Sequence, residues 1–334
     1  MAQLSVLLAA ELLAACTEAP LPARAAPAAP PPLDLDPIEK LLPAAELRWV
    51  LTIDPQSWLR HPALTPGLSR LLTDARIAAL EHSTAIDVSR LSRAVIAAYP
   101  RSTVYLLQGV SSPNLAVERF EKRMLTGVTR KVYRPDLIRL QGHGYNGRRR
   151  AIVSLGGQVV AIESGSALHT GVAALYALGR LSRAPRALAM LDIALLAQRF
   201  GDTPLFAVAI GPFQGTWAGA VHGVLRLCTA VGGCVRADDA GVLSASLLFV
   251  GEWGADAERA LQRVSTSWED LQHSSFGRLT GLDQLVAPMK TTQEAQLVGV
   301  HVRVSGPRLL DGLYTAVRAE LREMFDFPDA TPAR

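Results

Sequence analysis

Lysine is nearly absent: among 34 basic residues only Lys40, Lys122, Lys131 and Lys290 are not arginine, and the formal net charge is just +4. Along the sequence these cations are scattered, whereas a nucleic-acid footprint calls for a clustered basic patch interleaved with aromatics. Nucleic acid is therefore not an expected partner. Motifs that carry chemistry are missing too. The nearest approach to a Gly-x-Ser-x-Gly nucleophile turn, Glu163-Ser164-Gly165-Ser166-Ala167, has the wrong spacing and reads as a strand-to-helix turn with Ser166 near a cap. Leu155-Gly156-Gly157 and Gly142-His143-Gly144 lack the Gly-Lys-Ser/Thr ending or following helix of a phosphate cradle. The seven histidines form no His-x-His or His-x-x-x-His pair, so no metal and no cofactor is expected. Long apolar runs are also wanting. The stretch from Leu4 to Ala15 falls short of the roughly 20 residues a spanning helix needs, and reads as a signal-peptide core.

That stretch closes on Leu13-Ala14-Ala15-Cys16, an apolar residue and two small ones before a cysteine. The arrangement resembles the lipobox of bacterial lipoproteins. The resemblance implies cleavage after Ala15, acylation of Cys16 (palmitate being a typical chain), and a place in the cell envelope. Thr17 follows the cysteine where Asp would mark inner-membrane retention, which implies the periplasmic side of the outer membrane if the organism has two membranes.

The segment after Cys16 suits a tether. Residues 17–37 are mostly Ala and Pro, with Pro30-Pro31-Pro32 at the centre. Such composition favours extended polyproline conformations at ~3.1 Å per residue, so ~20 residues would hold a domain ~60 Å from a bilayer. The reading is then a signal peptide over 1–15, a lipidated spacer over 16–45, a first half over 46–181, a second half over 185–326 and a tail over 327–334.

With Cys16 acylated, Cys228 and Cys234 are left, separated by five residues that include Gly232 and Gly233. An oxidising envelope compartment permits them to pair; the alternative is two buried thiols, one ending a helix and one starting a strand.

In the body a strand-then-helix unit recurs. Apolar runs at 47–53, 103–109, 205–211, 243–250 and 297–304 are strand candidates. Helical stripes come after several of them: Val117, Phe120 and Met124; Val221, Leu225 and Cys228; Leu261, Val264, Trp268 and Leu271; Leu310, Leu313, Val317 and Leu321. Short strands over 131–134, 137–141, 149–155 and 159–163 read as a meander. The expected class is α+β, in two similar halves, each a mainly antiparallel sheet covered on one face by helices.

Three residues mark a candidate cleft between the halves. Glu163 ends the apolar run 159–162 and lies six residues before His169, a displayed carboxylate or simply the edge of the core with His169 on a helix surface. Trp217 and Trp253 follow strand ends at Gly-rich turns, where they line a shared cleft or close the core over the sheet edge. Arg148-Arg149-Arg150 is the densest basic run, a solvated turn or a contact for lipid phosphate or another anionic envelope polymer. These features point away from an enzyme. They point to a lipid-anchored envelope protein with a binding or structural role, whose partners are the membrane through its anchor and an envelope protein or ligand. One alternative is a carrier or chaperone of a hydrophobic envelope ligand held in a sheet concavity. The other is an enzyme whose site is assembled from distant positions.

Overall fold

The computed structural model describes residues 31–181 and 186–325. Strand β1 (Trp49–Ile53) is followed by helices α1 (Pro55–Leu59), α2 (Thr65–Leu71) and α3 (Asp74–Thr84). Strands β2 (Arg93–Tyr99) and β3 (Ser102–Gln108) lead into α4 (Pro113–Glu121). A meander of β4 (Thr126–Arg134), β5 (Leu137–His143), β6 (Arg149–Ser154) and β7 (Val159–Ser164) then ends in α5 (Leu168–Ala177). The second part opens with α6 (Leu191–Phe200), β8 (Leu205–Ile210) and the one-turn α7 (Thr216–Gly219). The hairpin β9 (Cys228–Ala237) and β10 (Val242–Gly251) precedes α8 (Ala257–His273) and α9 (Ser275–Leu279). Strands β11 (Leu285–Gln293) and β12 (Leu297–Ser305) and helix α10 (Gly306–Phe325) complete the order.

The α+β class with antiparallel pairing is as expected, but the strands of the two parts are not separate sheets. All twelve lie in one sheet of order β11-β12-β10-β9-β8-β1-β2-β3-β7-β6-β5-β4. The seam is the antiparallel β1–β8 pair, in register as Trp49 with Ala209, Leu51 with Ala207 and Ile53 with Leu205. Outward from that seam, each arm has the same plan. A central strand is followed by a helical excursion, two strands joined as a hairpin, a crossing helix (α4 or α8), and a return that lays the last strand beside the hairpin's second. The first arm carries two extra strands, β4 and β5. The described residues from Leu33 onward form one compact unit, so the expected spacer over 16–45 is corrected at its end: Ile38, Leu41 and Leu42 are buried in the core and Leu33 and Leu35 pack against it.

Helices lie on both faces, whereas the sequence pattern predicts one covered face. The reason is visible in β6 and β7, whose consecutive residues Ala151 to Ser154 and Val159 to Ala161 are buried on both sides of the pleat. One face packs Val50, Val95, Val104, Ala161, Val208 and Cys234 against α5 and α6 through Ala173, Tyr176, Ile193 and Leu196. The other face is covered at its flanks. There α4 sets Ala116 and Val117 on Leu140, Ile152 and Val160, and α8 sets Ala260 and Val264 on Phe249, Val298 and Val300. At one end Leu64 and Leu310 close over Leu243 and Val304. No helix among the described residues is long and apolar enough to cross a membrane.

Candidate functional site

The flanking helices leave open the middle of that second face. Successive pairings carry one lateral row across it, Ile162, Tyr105, Ile96, Leu51, Ala207, Gly233 and Leu247. In a strand alternate side chains share a face, so these stand on the same side. All are partly exposed, Leu247 most, at 37%. With α4 and α8 as walls the row forms the floor of an apolar basin.

One cleft opens along it, and a second lies past it at the strand ends. The first, of about 250 Å³, is lined by Leu205, Ala207, Val235, Ala245, Leu247 and Trp268. The indole N–H of Trp268 is buried without a partner. Buried donors are nearly always satisfied, so this one is available to an acceptor. The other cleft, about 300 Å³, takes in Trp49, Tyr99, Ala209, Phe213 and Trp217 at the end of the β1–β8 seam.

Behind Tyr99 lies the principal polar cluster. Glu163, at the end of β7, is fully buried. One of its carboxylate oxygens accepts from His169 Nδ1 at 2.8 Å. The other accepts from the Thr170 amide at 2.9 Å and the Thr170 hydroxyl at 3.1 Å. Residues 168–170 form the first turn of α5, whose free amide ends favour a negative charge. Burial pushes the Glu163 carboxyl up, but the hydrogen bonds from the His169 ring and the backbone, with the nearby imidazole charge, outweigh it and leave the carboxyl below its ordinary value. Tyr99 stacks on the His169 ring with centroids 3.8 Å apart and donates its hydroxyl to the Pro43 carbonyl at 3.0 Å. Burial and then the Glu163 charge raise the Tyr99 phenol far above its usual range.

Ser102 Oγ lies 3.0 Å from His169 and completes a Ser, His and Glu set. A nucleophile relay requires the acid on one ring nitrogen and the hydroxyl on the other. Here both meet Nδ1, so the acid orients the ring without activating the serine.

The turn that presents this cluster depends on Gly165, at φ +98°, where a Cβ would collide with the Arg101 carbonyl oxygen. Gly165→Ala should therefore cost about 1–3 kcal/mol from backbone strain alone, read as a lowered midpoint in urea unfolding.

Of the three residues expected in a cleft, Trp217 lines one, at 56% exposure. Glu163 lies one aromatic layer behind it. Trp253 lines no cleft and takes the other role, closing the core: it is 2% exposed, sits in the cluster beneath α8, and donates its N–H to the Phe249 carbonyl at 3.1 Å. The pairing of Cys228 with Cys234 is also corrected. Both are free and buried, and both lie in β9, whose extended backbone separates them by ~20 Å, where a disulfide allows Cα atoms ~6 Å apart. Gly232 and Gly233 form no loop between them. Gly232 is a mid-strand position where a Cβ would stand 2.9 Å from Leu196, and its bare backbone lets α6 pack down. Burial raises both thiols, Cys228 to about 12. Cys16 lies outside the described residues. Among the described residues no group of three His, Cys, Asp or Glu could hold a metal ion. Ser102 and Tyr99 carry no sequence signal, because only the β3–β7 and β2–β3 pairings bring them to Glu163.

No family model matches the chain, and no curated protein matches it. Two solved structures of TP0453 are similar to it. Crystal form III gives a TM-score of 0.46 at 12% identity, covering 84% of this chain and 98% of that one. Crystal form IV gives 0.44 at 10% identity, covering 80% and 92%.

Proposed function

We propose that this chain is a lipid-anchored envelope protein, acylated at Cys16, that binds an apolar ligand non-enzymatically on the open face of its sheet. The observation that carries the reading is the basin floor. Six strands present partly exposed apolar side chains in one row, and no helix among the described residues covers its middle. Exposed apolar area of that extent marks an interaction surface, and such sites characteristically pair apolar walls with a few polar groups. The unpartnered Trp268 N–H is one such group. An acyl chain ending in a carboxylate or ester fits both. The carrier role is thus favoured over a purely structural one. An enzymatic role is disfavoured by the placing of Ser102 and Glu163 on the same imidazole nitrogen.

Titration of a fluorescent fatty acid into the full chain carrying Cys16→Ser tests the reading. Leu247→Glu, at a half-exposed floor position, is expected to weaken binding more than tenfold. Trp268→Phe, which keeps an aromatic ring, though a smaller one, and removes the donor, should weaken it by about five- to tenfold, as the loss of one hydrogen bond implies. Unchanged affinity in a folded Leu247→Glu chain would rule the basin out as the site.

A further inference from the structure

At one corner the fold doubles back on itself the stretch of the chain that is richest in cations. Residues 118–150 hold ten Arg and Lys against three Glu and Asp, more positive than the whole chain's +4. They belong to the end of α4 and to β4, β5 and β6, with β4 the outermost strand of the sheet. Pairing places Thr126 beside His143 and His143 beside Arg149, and the Leu125 amide donates to the His143 carbonyl at 2.8 Å. The segment entering β4, with Lys122 and Arg123, is thereby brought beside the β5–β6 turn, with Arg148 and Arg149. All four cations are exposed, and none forms an ion pair among the described residues. The adjacent Glu121 is engaged by Arg130 at 3.0 Å. Two large apolar side chains project from the same corner, Leu125 at 54% exposure and Tyr145 at 88%.

We infer that this corner docks the protein body onto an anionic lipid surface. Unpaired Lys and Arg meet headgroup phosphates, each adding to attraction within a Debye length of the surface. Leu125 and Tyr145 enter the interfacial layer, where an aliphatic chain and an amphipathic ring are favoured. The exposed apolar pair is what selects a lipid surface over a soluble polyanion, which would be met by charge alone. This contact is separate from any acyl group on Cys16 and from the basin, and it would lay the body against a membrane.

Co-sedimentation of the full chain carrying Cys16→Ser with vesicles of phosphatidylglycerol and phosphatidylcholine, and with phosphatidylcholine alone, tests it. Binding should need the anionic lipid and weaken with salt. The charge reversal Lys122→Glu, Arg123→Glu, Arg148→Glu, Arg149→Glu should reduce it by about tenfold or more. A matched reversal elsewhere, Arg259→Glu, Arg263→Glu, Arg308→Glu, Arg318→Glu, should not. Leu125→Ser with Tyr145→Ser should abolish the fraction that survives high salt. All these positions are exposed, and an unchanged circular dichroism spectrum shows that each variant is folded. Equal binding to neutral vesicles, or full binding by the corner charge reversal, overturns the inference. So does full binding by the Leu125 and Tyr145 variant together with displacement by soluble polyphosphate, which would mark a plain anion site.

Discussion

Glu163→Ala should lower the unfolding free energy by about 3–5 kcal/mol, the range for removing one partner of a buried, hydrogen-bonded charge set. The loss exceeds that of one hydrogen bond because three donors depend on this carboxylate: the His169 ring, the Thr170 amide and the Thr170 hydroxyl. Without it the Thr170 amide stays buried and unsatisfied, the Thr170 hydroxyl keeps only the Ala167 carbonyl at 3.2 Å and the His169 ring only Ser102, and the first turn of α5 loses its negative partner. Glu163→Gln should cost less, because one amide oxygen still accepts, but its NH₂ then faces donors. The pH dependence comes from the lowered carboxyl. A group whose folded pKa is depressed stabilises fully above its unfolded value, and that contribution is lost as pH falls through the folded value. The parent's stability from Glu163 is thus present at neutral pH and disappears below the ordinary carboxylate range of about 4. Urea unfolding at pH 7 and pH 3 reads this directly. The gap between parent and Glu163→Gln should narrow at the lower pH, and a gap that stayed constant would mean that the carboxylate charge contributes nothing.

The extent to which the sequence exposes this architecture varies with the element. The apolar runs at 103–109, 205–211 and 297–304 match β3, β8 and β12 within a residue or two, because central strands must be apolar on at least one face. Strand β2, Arg-Ala-Val-Ile-Ala-Ala-Tyr, does not stand out in the sequence because alanine carries little strand preference. It becomes a strand through pairing with β1 and β3 on both sides. β11 is obscured by Pro288, tolerated there because β11 is an edge strand. The stripe Val221, Leu225 and Cys228 reads as a helix, but His222 and Gly223 break it into tight turns and Cys228 already begins β9. For the candidate site, Glu163 and His169 are legible because both lie within seven residues around one turn. Ser102, Tyr99 and the basin floor are not, because they exist only through register between strands, some of them more than 150 residues apart in sequence. The corner cations are legible in part: Arg148 to Arg150 stand out as a run, while Lys122 and Arg123 join them only through the β4–β5–β6 pairings.

The two tryptophans that follow Gly-rich turns should separate cleanly in stability. Trp217→Ala, at an exposed cleft wall, should change the unfolding free energy by no more than about 0.5 kcal/mol. Trp253→Ala should cost about 3–5 kcal/mol, as large-to-small changes of buried aromatics do. The structural grounds are its 2% exposure and its place in the cluster of Phe249, Ala257, Ala260, Val264, Val298 and Val300. Removing the indole opens a void between β10 and the first turns of α8, and neither a paired strand nor a seventeen-residue helix can collapse into it without breaking other contacts. Trp253→Phe retains most of the volume and gives up the N–H bond to the Phe249 carbonyl, so about 1–2 kcal/mol is expected. The same void should reach the basin, because α8 carries Trp268 on the turn beyond Val264 and that indole lines the cleft. Trp253→Ala should therefore loosen α8, seen as faster amide exchange over 257–273, and weaken fatty-acid binding together with it. A cost below about 1 kcal/mol would show that α8 is held from elsewhere, and binding that survived a loosened α8 would remove that helix as a wall of the basin.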